Sequence, residues 1–129
     1  MKKESFIVAI IVIVIIIAHV LTQNTIKNFF NSVSADLDSL EEKIFDNNFE
    51  SGELEKDIEN IEENWDKNYD KFACYIEHDE LEKVETQLIS IKANIRVGDY
   101  DKGIDEAERC KFILKHIKEK DSMRIVNIF

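Results

Sequence analysis

Residues 53–96 read ELEKDIENIEENWDKNYDKFACYIEHDELEKVETQLISIKANIR, with neither proline nor glycine in the run. The apolar side chains stand at Leu54, Ile58, Ile61, Trp65, Tyr69, Phe72 and Ile76, in steps of three and four that keep them on one side of a helix. The next positions in phase hold Asp79 and Glu80, and a second stripe starts at Leu81 and continues through Val84, Leu88, Ile91 and Ile95. A five-residue step rotates the stripe by about 140°. The pattern predicts a break at His78-Asp79, with Asp79 as N-cap and Glu82 as its capping-box partner. The alternative is one unbroken helix packed on two neighbours.

The same period extends in both directions. Upstream, Ile26, Phe30, Val33, Leu37, Leu40 and Ile44 form one stripe, ended by Asp46-Asn47-Asn48 and Ser51-Gly52. That stripe spans under three heptads, so packing inside its own bundle is favoured over a parallel coiled-coil dimer. Downstream, Gly98 suits a left-handed helix terminus and Asp99 the cap of a last helix carrying Tyr100, Ile104, Ala107, Cys110, Leu114 and Ile117. The tail Met123 to Phe129 is apolar and is expected to pack back on the bundle. The fold class is therefore all-α, an antiparallel three- to four-helix bundle behind an N-terminal transmembrane helix.

That first helix is read from Phe6 to Leu21, 16 uncharged residues of which 11 are Ile or Val. It is roughly 24 Å long against a hydrocarbon core of roughly 30 Å, short for a span unless flanking residues or local thinning make up the difference. A cleaved signal peptide wants small residues around its cleavage site, and Ala18-His19-Val20-Leu21-Thr22-Gln23-Asn24 offers no small-x-small pair. An uncleaved anchor is the expectation. Lys2 and Lys3 flank one end and only Lys27 lies close beyond the other, which places the N-terminus in the cytoplasm. Residues 1–22 then form the cytoplasmic N-terminus and anchor, and residues 23–129 an acidic helical domain outside the cell membrane. No break separates the anchor from the Ile26 stripe, so the two are expected to share a helix.

The formal net charge is −10, and because Lys2, Lys3 and Glu4 give the first 22 residues +1, the domain carries −11. Such a domain is expected to be repelled by nucleic-acid phosphate and by anionic lipid head groups, both bound mainly through Lys and Arg, so no nucleic-acid partner is expected. Cys74 and Cys110 belong to no C-x-x-C pair and read as small buried apolar residues. The sequence holds no G-x-S-x-G, no H-E-x-x-H and no phosphate-cradling glycine loop, so neither an enzyme nor a cofactor is expected.

A turn centred between residues 98 and 99 makes antiparallel neighbours sum to about 197, which sets Glu119 opposite His78 and His116 opposite Leu81. His78 with Glu82 and His116 with Glu119 each share a helix face, so the four side chains form a candidate ligand set for a divalent metal. The competing reading has these histidines making ordinary polar contacts at a helix end. Glu53, Glu55, Asp57, Glu59, Glu62, Glu63 and Asp66 form an acidic ridge, read as a solvated face, with a basic partner or loosely bound cations as the alternative. Trp65, Ile128 and Phe129 are candidate contact residues for a protein partner.

Taken in order, the short N-terminal span, Trp65 about a dozen residues before His78-Asp79-Glu80-Leu81, the hairpin, His116-Ile117 with Glu119, and the ending Asn127-Ile128-Phe129 carry a resemblance. The chain resembles a bacterial domain-of-unknown-function family, number 4363, of small single-span helical proteins. It departs from that pattern in lacking a tryptophan near Ser51. The resemblance implies no activity, cofactor or catalytic residue, and implies association with a small multi-span membrane protein. The expectation is a membrane-anchored interaction or scaffold protein that associates with another membrane protein or with itself. The alternative is a bundle that senses a ligand or a divalent metal.

Overall fold

The computed structural model describes residues 2–128, with side chains described up to residue 121. The chain forms α1 (Lys2–Phe45), α2 (Glu53–Ala73), α3 (His78–Arg96) and α4 (Tyr100–Ile128). Ion pairs fix their directions: Lys43 of α1 meets Glu53 and Asp57 near the start of α2, Glu62 of α2 meets Lys92 near the end of α3, and Glu80 of α3 meets Lys120 of α4. Each helix packs antiparallel on the next and α4 closes the ring against α1, while the diagonal pairs stay apart. This is an up-down four-helix bundle with short connections.

α1 is one helix of 44 residues, about 66 Å long. Its two halves differ in surroundings. From Ile26 onward the stripe Ile26, Phe30, Val33, Leu37 and Leu40 is buried in the bundle, so it is spent on the protein's own core. The apolar side chains of residues 6–21 are exposed all round, and this is a helix long and apolar enough to cross a membrane by length and composition.

The core joins the four stripes, with Leu54, Ile58, Ile61, Trp65, Phe72 and Ile76 from α2 and its exit, Leu81 to Ile95 from α3, and Ala107, Cys110, Leu114 and Ile117 from α4. Near the end of the bundle that faces residue 21, Phe29, Phe30, Trp65 and Phe72 pack ring on ring, with centroids 4.8 to 6.2 Å apart. In α4 the buried position of the first turn is Gly103, and Ile104 is only half-buried. The interior phase of α4 thus runs 103, 107, 110, 114, 117.

Helix ends follow local chemistry. Gly98 at φ +77° ends α3, with its N–H donating to Ile95 and the Asp99 N–H donating to Asn94. Asp99 Oδ1 then accepts the Lys102 N–H and caps α4, as expected. Asn47 at φ +49° closes α1 by the same pair of bonds, to Ile44 and from Asn48 to Lys43. The break between α2 and α3 exists but is shifted. α2 stops at Ala73, and Tyr75 and Ile76 fold back as donors to the Phe72 carbonyl. That turn lets Ile76 stay in the core. The N-cap of α3 is Glu77, without a side-chain cap bond, rather than Asp79, which lies in the first turn.

Candidate functional site

The α3/α4 hairpin keeps the register read from its turn. Lys120 Nζ lies 3.7 Å from Glu77 Oε2 and 3.2 Å from Glu80 Oε1, and the Gly103 position faces Ile95. Register alone does not settle which side chains meet. At the open end of the hairpin the inward flank of α4 is held by Lys120, while Glu119 lines the groove between α4 and α1 together with Gln23 and Lys27. His116 is exposed and stacks on Phe112, with ring centroids 6.4 Å apart and planes 12° apart. Successive residues on a helix are about 100° apart, so a one-residue offset moves a carboxylate from one neighbour to another.

His78 is engaged on both nitrogens. Its Nδ1 is 2.6 Å from the Tyr69 hydroxyl and its Nε2 is 2.8 Å from Glu82 Oε1, with the two rings edge to face. A neutral imidazole protonated on Nε2 satisfies both bonds: it donates to Glu82 and accepts the Tyr69 O–H. Glu82 therefore partners His78 instead of completing a capping box. The expected four-residue metal set does not assemble: among the described residues no group of three or more His, Cys, Asp or Glu could hold a metal ion. Both ring nitrogens of His78 are thus within hydrogen-bond distance of a protein partner, Tyr69 at Nδ1 and Glu82 at Nε2. Tyr69 lies across the helix break, nine residues away, and helical spacing within one element could not have found it.

The acidic ridge is also redistributed. Glu53 and Asp57 bond to Lys43, Glu62 to Lys92, and Glu63 to Lys67, while Glu55 and Glu59 flank Arg96. Glu53, Glu55, Asp57, Glu59 and Glu62 are thus the anionic half of the α1/α2 and α2/α3 seams, while Glu63 pairs within α2. A denser knot ties α4 to α1, where Lys111 Nζ reaches Asp38, Glu41 and Glu108 at 2.6 to 2.7 Å. Burial pulls the Lys111 ammonium down, but the three carboxylates outweigh it and hold it above its ordinary value. Burial raises the Glu41 carboxyl, against the pull of Lys111.

Trp65 is 1% exposed, so this candidate contact residue is core. The side chains of Ile128 and Phe129, and the expected packing of the tail, lie outside the described residues. Cys110 is buried and its thiol is pushed up to about 12, whereas Cys74, expected to be buried, is exposed at the C-cap of α2.

Residues 20–128 match one family model, that of a domain of unknown function (DUF4363). The chain belongs to the DUF4363 family. The DUF4363 match covers the whole bundle and begins near the end of the apolar segment. No curated protein and no solved structure matches the chain.

Proposed function

We propose that this DUF4363 protein is a single-span membrane protein, N-terminus in the cytoplasm, whose helical domain is a non-catalytic scaffold for another membrane protein or a second copy. One observation carries the reading: α1 is continuous from an uncovered apolar half into a half that forms part of the core. A helix without a break between anchor and bundle fixes the height and rotation of the domain relative to the bilayer, which suits a protein that presents a surface to a neighbour. Among the described residues nothing covers the apolar side chains of residues 6–21, and packing against another span would cover one side of them. The net negative charge supports a protein partner over a nucleic acid.

The test is in cells. A photoreactive amino acid at Ile11, Val14 or Ile17 of the full-length chain should give an adduct of defined mass after irradiation, recovered in detergent. Recovery of the monomer alone from all three positions overturns the scaffold reading. Extraction with alkaline carbonate should leave the chain in the membrane pellet, and release into the supernatant overturns the span.

A further inference from the structure

The domain is acidic as a whole, yet one groove at its base is not. Between α1 and α4, Lys27, Lys115 and Lys118 line an open groove of about 490 Å³ together with Gln23, Glu119 and Asp121. That volume is in the range of small-ligand sites. Lys27 and Lys115 have no hydrogen bond or ion pair among the described residues, and the Lys118 ammonium donates to the neutral Asn31 side chain. Asp121 is engaged by the Gln23 amide, which donates to its carboxylate at 3.1 Å and to its carbonyl at 3.2 Å. Elsewhere Lys43, Lys92 and Lys111 are each bound by carboxylates. The groove therefore presents three ammonium groups against two carboxylates, Glu119 and the Gln23-bound Asp121, an excess of one positive charge in a domain that is otherwise acidic.

Position supplies the second observation. Lys27 lies six residues beyond Leu21, about 9 Å along the helix axis from the end of the apolar run. With α1 seated in a bilayer, that is the level of the phosphates. On the adjacent side of α1, a smaller groove of about 190 Å³ is lined by Leu21, Thr25, Lys71 and the exposed Tyr75, residue types that favour the membrane interface.

We propose that the Lys27/Lys115/Lys118 groove binds the phosphate-bearing headgroup of an anionic phospholipid in the membrane that α1 crosses. This rests on reading α1 as a span. The acidic remainder of the domain is repelled by the same lipid surface, so the site would hold the bundle with its α1/α4 side down and its acidic sides toward solvent.

The full-length chain is placed in nanodiscs of phosphatidylcholine with or without phosphatidylglycerol, and lysine acetylation rates are read by mass spectrometry. Lys27, Lys115 and Lys118 should slow by about fivefold in the anionic discs. Exposed Lys102, at the far end of the bundle, should not change. The double variant K115Q/K118Q should abolish the protection of Lys27, and K115R/K118R should retain it. Equal rates in both discs overturn the headgroup site and leave the span standing. Protection by inorganic phosphate in neutral discs identifies a soluble anion as occupant and overturns the lipid assignment. A chain that does not enter either disc overturns the span, and this proposal with it.

Discussion

Lys111 of α4 and Glu41 of α1 meet at 2.7 Å, Nζ to Oε2, and Glu41 is the one charged residue buried among those described. The pair ties the last helix to the helix that continues into the apolar segment. Neither end of it lies on an apolar stripe.

Lys111→Met should destabilise the bundle by about 1–3 kcal/mol, because Glu41 is left buried without its cation. The double variant Lys111→Met/Glu41→Leu should recover most of that loss. The sign of the pH effect follows from the raised pKa of Lys111. Its contribution is fully present below its ordinary value of 10.5 and is lost as pH rises through the higher folded value. Thermal melts above pH 10 should fall less steeply in Lys111→Met than in the parent, and equal slopes would show that this ammonium is not held by the knot.

Gly98 and Gly103 should respond in opposite directions to alanine. Gly98 adopts φ +77°, so Gly98→Ala should cost about 1 kcal/mol. Gly103 is helical, and an added Cβ would meet Ile95 Cγ1 at 3.6 Å, an ordinary contact. Gly103→Ala should therefore stabilise by about 0.5–1 kcal/mol. Urea unfolding of both variants decides the matter, and a destabilising Gly103→Ala would mean that the α3/α4 contact is tighter than described.

The two cysteines should separate under alkylation. At neutral pH a maleimide should modify Cys74 in the folded chain and leave Cys110 unmodified until denaturant is added, since Cys110 is buried and its thiol is raised to about 12. A membrane-impermeant maleimide applied to intact cells extends the test to topology. Labelling of Cys74 agrees with the bundle lying outside, and labelling only after lysis reverses the proposed orientation.

Trp65 and His78 should differ in weight. Trp65→Ala should cost about 3–5 kcal/mol as a core deletion. Trp65→Phe should cost much less, because the buried indole Nε1 has no hydrogen-bond acceptor among the described residues and phenylalanine removes that uncompensated donor. His78→Ala, losing exposed bonds to Tyr69 and Glu82, should cost under about 1 kcal/mol. Chemical denaturation of the three variants ranks them, and a His78→Ala loss equal to that of Trp65→Ala would contradict the surface role of the histidine.

What the amino-acid order determined by itself is the all-α class, the inward stripes of the first three helices and the register of the last hairpin. The separation of α2 from α3 and the inward phase of α4, through Gly103 and not Ile104, came from the fold. Period and turn chemistry are local: Leu54 to Ile76 and Leu81 to Ile95 can face a core in one way only, and Gly98-Asp99 sets where α3 turns into α4. The resemblance to the family rested on the same order of short motifs. Only the tertiary structure decided the polar contacts. Glu119 and Lys120 are adjacent in the chain, yet one faces α1 and the other α3, and no helical period assigns a flank residue to a neighbour. Tyr69 reaches His78 only because the chain turns back between residues 74 and 77. Lys27, Lys115 and Lys118 are scattered over ninety residues and share a groove only because α4 returns alongside α1. Apolar burial is set by each helix's own repeat, whereas a charged site at the edge of a helix is set by the helix that packs beside it.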